Sequence, residues 1–143
     1  MELALDCRSA DGSCEQRRSD VRTAVAIGLA GALGALARYG VEGAIARRTT
    51  SFPWATFVVN VSGSFLLGLV VTLLGERVAV APWVRSALAI GFLGAYTTFS
   101  TLSLESYRLL EARSYVLAGA NLLGSVSTGL VALYGGVVLG RAL

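Results

Sequence analysis

Residues 91–103 read GFLGAYTTFSTLS. The stretch begins inside an apolar run, 87–93, and then gathers Thr97, Thr98, Ser100 and Thr101 around Phe99. Gly94 and the β-branched pair Thr97-Thr98 are poor helix formers, so a helix entering this stretch is expected to break. A break releases backbone carbonyls and amides that must find new partners. Which partners are available depends on the surrounding medium, and the rest of the chain tells what that medium is.

The 143 residues are 55% hydrophobic, with a mean hydropathy of +0.67. Only 15% are charged, too few to cover a water-soluble domain of this length. Eight of the charged residues fall within the first 20 positions, and the others punctuate long apolar runs. The net charge of +3 comes from 12 arginines against 9 carboxylates, with neither lysine nor histidine. Arginines that bracket apolar runs are the flanks of membrane helices, not the one-sided basic face of a nucleic-acid binder. The polar tail, 1–22, lacks the basic start and apolar core of a cleavable signal peptide and is expected to be disordered. It holds both cysteines, Cys7 and Cys14, which are too few for a zinc site without histidine.

A membrane-spanning helix needs about 20 largely apolar residues. Four stretches meet that requirement, at about 23–46, 54–75, 83–104 and 115–140. They define a four-helix transmembrane domain over 23–143. Trp54, Trp83 and Tyr115 mark the starts of spans, where amphipathic rings favour the headgroup zone, and Pro53 and Pro82 lie just outside. Seven arginines fall on the side of the tail and four on the other, a bias weak enough to suit insertion in both orientations. Glycines at 28, 31 and 34, and at 124, 129, 135, 136 and 140, allow close helix approach within the chain. Their excess also points to a second copy, and a homodimer is expected.

Polar residues at membrane depth form three groups. Asn60 and Ser64 share one face of the second span, and Asn121 and Ser125 share one face of the fourth. An asparagine amide in hydrocarbon calls for interhelical hydrogen bonds or a polar pathway. The third group is the quoted stretch; its alternative reading is an uninterrupted helix whose hydroxyls bond back to the preceding turn. The middles of the spans carry no Asp, Glu or Lys, so a proton relay or fixed cation site has no side chains to use. The remaining groups are amide and hydroxyl donors and the positive ring edge of Phe99, which suit a small anion.

These motifs resemble the Fluc (CrcB) fluoride channels over residues 24–140. They are GALGALARYG in the first span, FVVNVSGSFLLG in the second, GFLGAYTTFSTLSLES in the third and NLLGSVSTG in the fourth. The resemblance implies an all-α fold of four helices with the third broken, assembled as an antiparallel, dual-topology homodimer with two fluoride pores in the cell membrane. It implies a structural sodium ion at the dimer centre, held by the carbonyls of Gly94 and Thr97. Asn60 matches the pore asparagine and Phe99 the first pore phenylalanine; Thr98 and Ser100 stand beside them. Asn121 and Ser125 match the polar track of the fourth helix, with Asn121 where many members have tyrosine. Arg38 matches an arginine near a vestibule, and Glu105 a carboxylate after the break. Where the family has its second pore phenylalanine, this chain has Leu102.

Two other classes compete. A small multidrug-type proton-coupled antiporter would need an intramembrane carboxylate, for which Glu42 is the candidate. A non-conducting partner subunit of a larger channel would explain the small residues but not the asparagines. No nucleophile–base pair or metal-ligand cluster occurs at membrane depth, so no enzyme is expected.

Overall fold

The computed structural model describes residues 11–46 and 51–143, and every regular element in them is helical. Helix α1 runs Asp11–Ala46 and α2 runs Trp54–Thr72, continued by wider π-type turns over Leu73–Arg77. The third span is composite. Short helix α3 (Pro82–Ser86) leads into a π-type stretch, Ala87–Leu93, and then into one turn, α4 (Gly94–Tyr96). After an interruption at Thr97 and Thr98, α5 (Phe99–Glu111) completes it. Helix α6 runs Tyr115–Ala142. Among the described residues four helical stretches are long and apolar enough to cross a membrane, namely Glu15–Ile45, Trp54–Arg77, Pro82–Glu111 and Tyr115–Ala142. The chain is a multi-pass, all-α membrane protein.

Its surface is built for lipid. Leu29, Leu33, Leu123, Val131 and Tyr134 are all largely exposed, an arrangement that water would penalise and hydrocarbon does not. The interior is small, with Val59, Leu93, Tyr96 and Leu102 buried near the interruption and Ala118 buried near the start of α6. Helices come together where side chains vanish. A methyl at Gly136 of α6 would overlap the carbonyl oxygen of Phe65 on α2, and one at Gly34 of α1 would overlap that of Phe92. Backbone contact of this kind replaces the hydrophobic drive that helices lack inside a bilayer.

Three expectations from sequence are corrected. Residues 11–22 are not a disordered tail but the first three turns of α1. A helix that has already nucleated in the apolar segment extends at little cost through good formers such as Glu15, Gln16, Arg17 and Arg18. Residues 1–10, including Cys7, lie outside the described residues. Secondly, Gly94 has ordinary helical dihedrals, so the break falls later, at Thr97 and Thr98. Thirdly, the third span continues past Leu104 to Glu111. It ends where Arg113, at a φ of 57°, takes the left-handed cap position usually given to glycine. There the Arg113 amide donates to Leu110 O and the Ser114 amide to Leu109 O, both at 2.9 Å.

Candidate functional site: the interrupted helix and its groove

Thr97 and Thr98 adopt extended dihedrals (φ −80°, ψ 157° and φ −149°, ψ 115°); the Thr97 amide still closes the preceding turn onto Leu93 O at 3.1 Å, and Thr98 leaves the helical ladder. The amide and carbonyl of Thr98 are met by one side chain. The Thr98 amide donates to Asn60 Oδ1 at 2.8 Å, and Asn60 Nδ2 donates to Thr98 O at 3.0 Å. The asparagine amide therefore pairs with both backbone groups of Thr98, as a neighbouring strand would. In a continuous helix the Thr98 amide would have served the Gly94 carbonyl, so the clamp leaves that carbonyl free.

The hydroxyls finish both ends of the interruption. Thr97 Oγ1 donates to Leu93 O at 3.1 Å, closing the last turn before the break. Thr98 Oγ1 accepts from the Thr101 amide at 3.2 Å, an N-cap for α5. It also exchanges hydrogen bonds with Ser100 Oγ at 3.2 Å and Thr101 Oγ1 at 3.0 Å. Gly63 makes room for this knot, since a methyl there would overlap the Thr97 methyl and press on the Tyr96 ring. Tyr96 Oη and Ser62 Oγ share a hydrogen bond of 3.0 Å beneath it.

Beside the interruption lies a groove of about 330 Å³, bounded by α2, the third span and α6. Asn60, Ser64, Thr97, Thr98 and Ser125 supply its polar wall, and no carboxylate lines it. Phe99 stands at its edge, 73% exposed, whereas Leu102 is only 3% exposed and forms part of the wall. Gly94 also lines the groove and is exposed.

The expected residues thus divide. Asn60, Thr97, Thr98, Phe99, Leu102, Gly94 and Ser125 meet at one groove. Ser100 is exposed and reaches it only through its bond to Thr98. Asn121 is fully buried behind it, on the seam between α5 and α6. Its Nδ2 donates to Ser106 Oγ at 2.9 Å, and Ser106 Oγ donates to Leu102 O at 2.8 Å. Asn121 Oδ1 and Ser125 Oγ are buried without protein partners, which marks this seam as the second polar locus. Arg38 is half-buried on α1, outside the groove, and makes no ion pair among the described residues. Glu105 accepts from Thr56 Oγ1 at 2.8 Å and also stays outside. Sequence reading passed over Thr56, Tyr96 and Ser106. The signal for Thr56 was available, because it lies one turn before Asn60 on the same helical face.

A four-span membrane protein with a polar interruption in its third helix and a donor-lined groove beside it belongs to the class that moves small solutes. Comparison with known proteins narrows the class. Residues 25–137 match the family model described as CrcB-like protein, Camphor Resistance (CrcB). A fluoride-specific ion channel FluC from Solibacter usitatus is 47% identical over 116 residues, covering 80% of this chain and 95% of the relative. One from Geobacter sp. is 45% identical over 120 residues, covering 83% and 97%. One from Geotalea uraniireducens is 42% identical over 124 residues, covering 86% and all of the relative. The chain belongs to the CrcB family.

Proposed function

We propose that this protein is a fluoride-selective channel that lets fluoride leave the cell passively through the cell membrane. It is no enzyme. The observation that carries the reading is the groove itself, where neutral donors line the wall and no carboxylate repels an anion. Asn60 spends one N–H on Thr98 and keeps the other for an ion. The hydroxyl of Ser125 has no protein partner, and the Phe99 ring offers its positive edge. Neutral donors can replace part of an ion's hydration while leaving it free to depart. Relatives with over 40% identity named as fluoride-specific channels support the same choice of ion. The absence of carboxylates from the groove disfavours the proton-coupled antiporter, for Glu42 lies outside it.

The groove is open on one side, and Phe99 projects from it uncovered. A second copy in antiparallel orientation would close it and give two pores per homodimer, an arrangement compatible with the weak arginine bias. In that assembly the carbonyls of Gly94 and Thr97 would hold a sodium ion at the centre. The fit is chemical: the clamp leaves the Gly94 carbonyl without its helical donor, and hard backbone oxygens suit sodium. Arg38, unpaired and half-buried on α1, would add positive potential to a vestibule.

The test is fluoride efflux from liposomes that contain the purified protein, with chloride-loaded liposomes alongside. Rapid fluoride loss without chloride loss is expected. Folded protein that releases no fluoride would defeat the reading and return attention to a missing partner subunit.

A further inference from the structure

A second cavity, of about 410 Å³, sits at the end of the molecule where the third span begins. Val71 and Leu74 of the second span form one wall, and Pro82, Arg85, Ser86 and Ala89 form the other. Ala89 also lines the groove beside the interrupted helix, so the two spaces adjoin through one small side chain. Arg85 is the only charged residue on the cavity wall.

Of the other cations described at this end, Arg17 and Arg18 stand exposed on the first turns of α1, outside the cavity lining, and the remaining three are engaged. Arg22 lies over the Trp83 ring, 5.5 Å from its centroid. Arg141 Nε pairs with Glu76 Oε2 at 3.6 Å, and Arg77 donates to the Arg141 carbonyl. Arg85, among the described residues, makes neither a hydrogen bond nor an ion pair. Its guanidinium instead spreads over Gly75, where a methyl would come within 3.8 Å. An unpaired guanidinium beside low-dielectric walls focuses positive potential into the adjoining space.

We infer that the Arg85 cavity is an antechamber that concentrates a small anion before it reaches the groove. The inference rests on the channel reading and adds to it a residue on the third span, far in sequence from Arg38. Arg85 does not bind the ion tightly. A single charge acting over about 6 Å of water enriches a monovalent anion roughly threefold, and tight capture would only impede passage.

The experiment compares fluoride conductance of wild type, Arg85→Gln and Arg85→Lys in planar bilayers of neutral lipid. Measurements are made at ionic strength near 0.01 M, where a charge acts over about 30 Å, and near 1 M, where it acts over about 3 Å. The expected result is a loss of about threefold for Arg85→Gln at low ionic strength, recovery by Arg85→Lys, and convergence at high ionic strength. Equal conductance of wild type and Arg85→Gln at low ionic strength would overturn the antechamber. A loss seen only when anionic lipid is added would overturn it too, since Arg85 would then be serving a headgroup phosphate. Wild-type protein that carries no fluoride would instead remove the channel reading, and the antechamber with it.

Discussion

The seam between α2 and α6 and the contact between α2 and the interrupted third span solve one problem by opposite means. At the seam, Gly136 and Gly68 bring backbone against backbone, with nothing polar required. At the interruption, Asn60 crosses from α2 and takes up the amide and the carbonyl of Thr98. Lipid gives helices no hydrophobic reason to associate, so either close packing or hydrogen bonding must hold them. The first means gives a contact with no exposed chemistry. The second leaves donors at hand beside a groove, which is why the candidate site lies at the broken helix.

The sharpest way to break the comparison is Asn60→Asp. The carboxylate has no N–H for Thr98 O and brings negative charge to the groove. The expected outcome is a fall in fluoride efflux of about tenfold or more, with stability reduced by about 3 kcal/mol, read by liposome flux and thermal unfolding in detergent. Gly136→Ala attacks the other contact. Its methyl collides with the Phe65 carbonyl, so stability should fall by about 1–3 kcal/mol while flux per folded molecule is kept. If that variant lost flux and kept its stability, the seam would not be the inert partner described here. Thr98→Val removes the α5 cap and should cost about 1 kcal/mol, with Thr98→Ser retaining most of it. Leu102→Phe is the mildest. The added ring can turn into the groove beside Leu102, so a stability change below about 1.5 kcal/mol is expected together with retained or raised fluoride flux.

Much of this architecture was legible before any coordinates. Four apolar lengths gave the spans, because a bilayer sets one thickness for every helix that crosses it. Thr97 and Thr98 gave the break, because β-branched residues flanked by hydroxyls serve caps better than helix interiors. What escaped was long-range pairing. Asn60 was visible as a polar side chain, yet nothing local says that its amide reaches Thr98, 38 residues on. Asn121 and Ser125 called for an interhelical hydrogen bond or a polar pathway, yet nothing local says that the Asn121 amide donates to Ser106 on the neighbouring helix. Gly94 misled because glycine disfavours a helix without forbidding one, and here the helix simply runs through it.

The wide stretch Ala87–Leu93, just upstream of the break, has a consequence for the evolution of chain length. In a regular helix, deleting one residue swings everything downstream by about 100° and would turn Thr98 away from Asn60. A π-type turn already carries a surplus residue relative to the α-helical repeat. Removing one there lets the helix tighten while Tyr96, Thr97 and Thr98 keep their bearing. The segment is thus where this third span can lose one residue and keep the same clamp.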